Sequence, residues 1–193
     1  MALPAEKERY TYADYLSWDN DVEQFEIIDG EAILMAPGAS NSHQGISVSI
    51  ASQLYAYLKG KSCVVRTAPF DVRLFEREED SPEDVNTVVQ PDIMVICDKS
   101  KIDERGCKGA PDMVIEILSA SSQRHDRIVK FQLYEQAGVK EYWLVDPANK
   151  TAQSFVLESG RYVVKELGVV GDKMKVNVLE SCLIDLTEVF PES

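Results

Sequence analysis

Two carboxylates lie in strand-like segments near the middle of the chain. Glu116 interrupts the apolar run MVIEILS, residues 113–119, and Asp92 opens the segment DIMVIC. Because side chains alternate along a strand, Val114, Glu116 and Leu118 are predicted to share one face. Removing an unpaired carboxylate from water costs several kcal/mol. Glu116 must therefore be protonated, paired with a cation or bound to a metal ion.

Asp92 and Glu116 together have the chemistry of a metal site. Two carboxylates from paired strands form an oxygen-rich pocket suited to Mg²⁺ or Mn²⁺. The chain has only two histidines, His43 and His125, which argues against a site built on two or three imidazoles. The spacing alone leaves an alternative open, in which Asp92 is a turn residue and Glu116 is a structural ion-pair partner.

A lysine on the following helix is predicted to reach these carboxylates. Asp126, Lys130 and Tyr134 are spaced four residues apart and form one stripe on a helix face. Lys130 can therefore lean back over the sheet toward Glu116. A lysine beside a divalent metal can stabilise the charge of a pentacovalent phosphate transition state. Replacing Lys130 is expected to lower turnover while leaving folding nearly intact.

Capping residues and helical periodicity predict the helices that position these side chains. They are a short helix from the N-cap Thr11 through Trp18, a long helix from Ser42 to Leu58 ended by Gly60, a second long helix from about Ser122 to Ala137 ended by Gly138, and a terminal helix in LIDLTEVF.

Runs rich in β-branched residues predict the strands. FEIIDGEAILM is predicted to form a hairpin with Asp29-Gly30 at its turn. Further strands are predicted in CVVRT, FDVRLF, VVQPDIMVIC, MVIEILS and EYWLVDP, and a meander in TAQSFVLE, GRYVVKEL and MKVNVL. The order of elements predicts an α/β fold in one domain, residues 1–193, with a mixed β-sheet flanked by helices, an N-terminal hairpin and a C-terminal β-meander.

Composition narrows the class of protein. The chain has 193 residues, of which 45% are hydrophobic, enough for one sizeable core. No stretch approaches the roughly 20 uncharged apolar residues of a membrane helix, and MALPAEKERY lacks the features of a secretory signal. The protein is therefore predicted to be cytoplasmic, with no membrane partner.

Charge and cysteine content add two expectations. The chain carries 33 acidic and 20 basic residues, a net charge of −13, which repels polyanions at long range and counts against casual nucleic-acid binding. Cys63, Cys97, Cys107 and Cys182 form no C-x-x-C pair and are predicted to be reduced, mostly buried thiols.

Several of these segments resemble a known family. Pro91-Asp92, the IEIL segment around Glu116 and the run SASSQRHDRIVKFQLYEQAGVKEYWLVDP are similar to the Uma-type family of restriction-endonuclease-like proteins, within the PD-(D/E)-x-K nuclease superfamily. The resemblance also includes FEIIDGEAILMAPGASNSHQ. It implies a restriction-endonuclease-like core, a divalent metal site for Mg²⁺ or Mn²⁺ at Asp92 and Glu116, and DNA as the substrate.

The chain departs from the superfamily pattern at two places. Leu118 stands where the acid-x-lysine motif requires lysine, and the resemblance implies that Lys130 has taken over that function. The first long helix lacks the expected acid, and Glu26 and His43 are the nearest substitutes. The additional candidates are therefore Glu26, His43, Asp126 and Tyr134. His125 is predicted to lie on the surface.

Two functions of different class remain. The first is a metal-dependent DNA endonuclease that uses Asp92, Glu116 and Lys130 as catalytic residues. The second is a catalytically inactive binding or assembly protein that keeps the nuclease fold. Retention of all three residues favours the first, whereas Leu118 and the net charge of −13 favour the second. A homodimer is predicted because the C-terminal meander is rich in apolar residues.

Overall fold

The computed structural model describes residues 7–18, 24–35 and 40–190, which form strands in three sheets and four α-helices. The strands are β1 (Phe25–Ile28), β2 (Glu31–Leu34), β3 (Val64–Thr67), β4 (Asp71–Arg73), β5 (Val88–Val89), β6 (Ile93–Ile96), β7 (Ile102–Asp103), β8 (Gly106–Lys108), β9 (Met113–Ile117), β10 (Glu141–Asp146), β11 (Thr151–Glu158), β12 (Arg161–Val169), β13 (Lys173–Lys175) and β14 (Leu183–Asp185). The α-helices are α1 (Tyr12–Ser17), α2 (Asn41–Leu58), α3 (Phe131–Ala137) and α4 (Leu186–Val189). A π-helix, His125–Lys130, leads directly into α3.

The central sheet has the strand order β12-β11-β10-β9-β6-β3. It is mixed, because β9 and β10 run parallel whereas the other neighbours run antiparallel. Strand β9 therefore lies between two buried neighbours, β10 and β6. The β6–β9 register pairs Ile93 with Ile115, and continuing it by one residue brings Asp92 to Glu116. The predicted mixed sheet flanked by helices is confirmed.

The two faces of β9 belong to different parts of the core. Met113, Ile115 and Ile117 pack with the buried face of α2, whereas Val114 and Leu118 pack with α3 and the second sheet. The predicted alternation along MVIEILS is thus confirmed, and Glu116 lies on the face toward α3. Each large aliphatic side chain buried in this way contributes about 1.5–3 kcal/mol to folding.

The second six-stranded sheet, in the order β2-β1-β5-β4-β8-β7, carries the N-terminal hairpin. The predicted turn is confirmed, since Asp29 has a φ of 51° and Gly30 a φ of 84°, the left-handed pair of a tight two-residue hairpin. Strand β1 also pairs with β5, which immediately precedes the Gln90-Pro91-Asp92 segment. This pairing connects the hairpin to the central sheet.

The helix predictions hold for α1 and α2. Thr11 caps α1 through a reciprocal pair of hydrogen bonds with Asp14, and α2 ends at Leu58 just before Gly60. The second long helix ends at Gly138, which has a φ of 83°, but its first part is π-helical. No helix among the described residues is long and apolar enough to cross a membrane.

The C-terminal predictions are partly wrong. Strands β11 and β12 form the predicted hairpin of the meander, but β13 pairs with β14 in a separate two-stranded sheet. The segment LIDLTEVF begins with strand β14, and only its second half is the helix α4. The pairing of β13 with β14 decides these local structures, and sequence propensity does not encode which strand is the partner.

The prediction of four reduced cysteines is wrong for one pair. Cys63 and Cys97 form a disulfide with an S–S distance of 2.07 Å, whereas Cys107 and Cys182 are free and buried. The antiparallel register of β3 on β6 explains the pair. Val64 lies opposite Ile96, so the next pair in the same register is Cys63 and Cys97. Disulfides are rare in reducing compartments, so this pair counts against the predicted cytoplasmic location. That location stays a prediction. The prediction of a single domain also stays a prediction.

Candidate active site

The ammonium group of Lys130 lies among three buried carboxylates. Its Nζ is 3.0 Å from Oε1 of Glu116, 2.9 Å from Oε1 of Glu26 and 4.0 Å from Oδ1 of Asp126. The Lys130 side chain is only 6% exposed. One cation is therefore shared by several anions that have little access to water.

Three separate elements position this cluster. Glu116 lies on β9, Glu26 on β1 of the hairpin, and Lys130 at the last position of the π-helix. From α3, the hydroxyl of Tyr134 donates a hydrogen bond of 2.7 Å to Oε1 of Glu116, the oxygen that also accepts from Lys130. The predicted stripe of Asp126, Lys130 and Tyr134 thus lies against Glu116.

Asp92 and His43 lie beside this cluster, where β6 and α2 begin. Oδ2 of Asp92 accepts a 2.7 Å hydrogen bond from the backbone N–H of Ile117, the residue after Glu116. Nε2 of His43 is 3.3 Å from the same oxygen. Ser40 caps α2 through the N–H of His43, which fixes the first turn of that helix against Asp92.

Burial and neighbouring charges raise the pKa of two of the acids and leave the pKa of a third lowered. Burial raises the pKa of Glu116 well above its ordinary 4.5, and the charges of Asp126, Asp92 and Glu26 raise it further against the opposing Lys130. Burial likewise raises the pKa of Asp126. For Glu26 burial acts in the same sense, but Lys130, the nearby His125 imidazole and the hydrogen bond from the Gln90 N–H outweigh it and lower the pKa to about 2.

Neighbouring carboxylates raise the pKa of both basic groups, Lys130 and His43. Burial would lower the pKa of Lys130, but Glu116, Glu26 and Asp126 raise it well above its ordinary value, so the ammonium form is held. The hydrogen bond to Asp92 raises the pKa of His43. Four acids face one permanent cation, and the cluster would therefore be stabilised by a further positive charge.

The chain matches a known protein family over most of its length. The sequence profile of the family Uma2, described as "Putative restriction endonuclease", matches residues 12–186. The chain belongs to the Uma2 family. The resemblance seen in the sequence is thereby confirmed.

Two relatives of this Uma2 chain are described only as uncharacterized proteins. Two proteins of Synechocystis sp. are 28% identical to it, "Uncharacterized protein slr1290" over 134 residues and "Uncharacterized protein sll1609" over 150 residues. The first alignment covers 68% of this chain and 66% of the relative, which is just under two thirds of that protein, and the second covers 76% and 80%.

A solved structure shares the fold. The crystal structure of "a putative nuclease belonging to DUF820" from Anabaena variabilis superposes with a TM-score of 0.71 at 19% identity, covering 94% of this chain and 97% of that one. The predicted restriction-endonuclease-like fold is confirmed by this likeness.

His125, which was predicted to lie on the surface, is only partly exposed and takes part in the Uma2 site. Its Nε2 is buried, has no hydrogen-bond partner among the described residues, and lies 3.7 Å from Oε2 of Glu26. In an α-helix, residues five apart such as His125 and Lys130 lie on different faces. In a π-helix, whose hydrogen bonds join residues five apart, they lie close to one face. No sequence signal distinguishes the two helices here.

Gln90 is a second residue that the sequence prediction missed. Its backbone N–H donates to Oε1 of Glu26 at 2.9 Å, and its Nε2 donates to Tyr15 Oη and Asp71 Oδ1, both at 2.9 Å. Gln90 thus connects α1 and β4 to Glu26. The sequence offered one indication of its role, which is that Gln90 lies two residues before the predicted site residue Asp92.

The donor set of this Uma2 site fits a hard divalent cation held by few protein ligands. Within the described residues no three His, Cys, Asp or Glu side chains are grouped as a metal site. The hydrogen bonds engage Oε1 of Glu116 and Oδ2 of Asp92, and the other oxygen of each carboxylate has no hydrogen-bond partner among those residues. Mg²⁺ is commonly bound through one or two carboxylates while it keeps several waters.

Proposed function

We propose that the chain is a metal-dependent endonuclease that hydrolyses phosphodiester bonds of DNA. The observation that carries this proposal is the hydrogen bond between Lys130 and Glu116 beside Asp92. It brings an ammonium group and two carboxylates with free oxygens to the same end of the sheet. Phosphodiester hydrolysis needs both, a cation to stabilise the charge on the phosphate and oxygen ligands to hold a metal ion.

Each residue has a distinct role in this proposal. Asp92 and Glu116 hold Mg²⁺ or Mn²⁺, which when bound supplies Lewis acidity and an activated water. Lys130 stabilises negative charge on the phosphate oxygens. Glu26 and Tyr134 act as positioning residues, because Glu26 holds the ammonium group and Tyr134 fixes the Glu116 carboxylate.

The comparisons support a nuclease in broad terms. The family description names a restriction endonuclease, and the Anabaena variabilis protein is described as a nuclease. Neither description mentions a metal ion, and DNA as substrate rests on the family description alone. The metal ion and the DNA substrate are therefore part of the proposal.

A second function is favoured by a specific observation. The Lys130 side chain is 6% exposed and contacts two carboxylates, so its positive charge is already paired with negative charge within the protein. Leu118 is also buried where a strand lysine would stand. An inactive binding or assembly protein with the nuclease fold would keep such an ion pair only for structure.

Conversion of supercoiled plasmid to nicked circles should distinguish these functions. We expect the wild-type protein to nick the plasmid with Mg²⁺ or Mn²⁺ and to stop when EDTA is added. Glu116→Gln should be inactive under the same conditions, since it removes one proposed metal ligand without changing side-chain size. Equal nicking by the wild type and this variant would point to a contaminating nuclease and contradict the proposal.

We also propose that the protein is a homodimer. Strand β12 is an edge strand of the central sheet and exposes several large apolar side chains. Those at least 40% exposed on this strand or directly after it are Val163, Val164, Leu167, Val169 and Val170. An exposed apolar edge is suited to pairing across a two-fold axis. Light scattering at micromolar concentration should give twice the chain mass of 21.6 kDa, and a monomeric mass would contradict this.

A further inference from the structure

A basic groove lies at the far end of α2 from the candidate active site. It has a volume of about 260 Å³. Its lining residues are Tyr55, Leu58, Lys59, Gly60, Lys61, Cys63, Val64, Val65, Arg66 and Lys99. Four of these are basic and none is acidic. This is a local reversal of charge in a chain whose net charge is −13.

The four basic side chains are exposed and free of ion pairs. The ion pairs within the described part of the chain involve other lysines and arginines. Lys61 lies over the ring of Tyr57 at 3.1 Å, and Arg66 donates to the carbonyl of Val65 at 2.9 Å. Neither contact neutralises charge. The groove therefore presents positive charge that the protein itself does not compensate.

Two elements connect this groove to the candidate active site. His43 contacts Asp92 at the start of α2, and Lys59 follows the same helix at its other end, about 24 Å away along the helix axis. The edge strand β3 brings the groove close to the active site, because Arg66 pairs with Met94 on β6, which is two residues from Asp92. A linear polyanion lying along β3 would therefore contact the groove and reach the active site.

We propose that this basic groove binds the phosphate backbone of DNA on one side of the bond that is cut. The inference rests on the proposed function, because it names where the same substrate is held. Lysine and arginine bind DNA phosphates with release of counterions. The net negative charge of the chain repels polyanions at long range, but attraction at short range depends on local charge. A positive groove can therefore bind DNA on an acidic protein.

The test compares two variants with the same change in net charge. One replaces the groove residues (Lys59→Gln, Lys61→Gln, Arg66→Gln, Lys99→Gln). The control replaces four exposed basic residues elsewhere (Arg105→Gln, Lys150→Gln, Lys173→Gln, Lys175→Gln). Binding of a fluorescein-labelled 24-base-pair duplex is measured by anisotropy in EDTA, so that binding is separated from cutting. Salt is varied at constant pH.

The groove variant should bind the duplex at least about tenfold more weakly than the wild type, and its dependence of log Kd on log salt should be less steep by about 3 to 4. The control variant should stay within about twofold of the wild type. Equal weakening in both variants would overturn the inference, because net charge would then explain the effect. Binding of phosphatidylserine vesicles in place of DNA would also overturn it.

The outcome separates this inference from the proposed function. If the wild type nicks plasmid and the groove variant binds DNA normally, the groove inference fails and the endonuclease proposal stands. If DNA binding depends on the groove but the wild type does not nick plasmid, the groove inference stands for a DNA-binding protein without nuclease activity.

Discussion

Replacing Glu116 by glutamine should abolish binding of Mn²⁺, and replacing Asp92 by asparagine should do the same. Each change removes a charged oxygen ligand while keeping the shape of the side chain. The proposed site has only these two protein ligands, so losing either leaves one carboxylate, which holds a divalent ion weakly in water. Isothermal titration of the metal-free protein with Mn²⁺ measures this directly.

Asp112 provides a matched control for this experiment. It precedes β9 and accepts a 2.7 Å hydrogen bond from the backbone N–H of Cys97, just as Asp92 accepts one from Ile117. Asp112→Asn weakens the same kind of contact at the opposite end of the β6–β9 pair, and it should leave Mn²⁺ binding unchanged. Unchanged binding in both Asp92→Asn and Glu116→Gln would remove the basis for a metal site here.

Local sequence patterns were sufficient to predict part of the site. The alternation of MVIEILS fixes the face on which Glu116 lies, because that pattern has a period of two in any strand. The spacing of Asp126, Lys130 and Tyr134 was also informative, and Lys130 does reach Glu116. These features depend on neighbouring residues in the chain, so they can be recognised without knowing the fold.

Features set by long-range pairing could not be predicted in the same way. Glu26 was a candidate through the family resemblance, but its contact with Lys130 was not predicted, because it depends on the pairing of β1 with β5. The disulfide of Cys63 and Cys97 likewise depends on the register of β3 on β6. His125 was missed because a π-helix and an α-helix share the same local sequence signals.

The burial of Lys130 changes what its replacement should do. The sequence predicted that folding would be nearly intact without it. Lys130 instead lies between Glu26 and Glu116, both 3% exposed, and its removal leaves those carboxylates without their shared cation. Breaking a buried ion pair by removing one partner typically costs about 3–5 kcal/mol. We therefore expect replacement of Lys130 to destabilise the fold, and a single substitution would confuse loss of stability with loss of catalysis.

A double variant separates the two effects. Lys130→Met alone should lower both the thermal stability and the rate of plasmid nicking, the latter by roughly a hundredfold or more, as expected for loss of one charge contact in the transition state. Adding Glu26→Gln removes one of the uncompensated charges, so Glu26→Gln/Lys130→Met should regain most of the stability but none of the rate. Lys130→Arg, which keeps the charge, should retain more activity than either. Thermal unfolding and single-turnover nicking at saturating Mg²⁺ measure the two quantities. Recovery of the rate together with the stability would show that Lys130 acts only as a structural ion-pair partner.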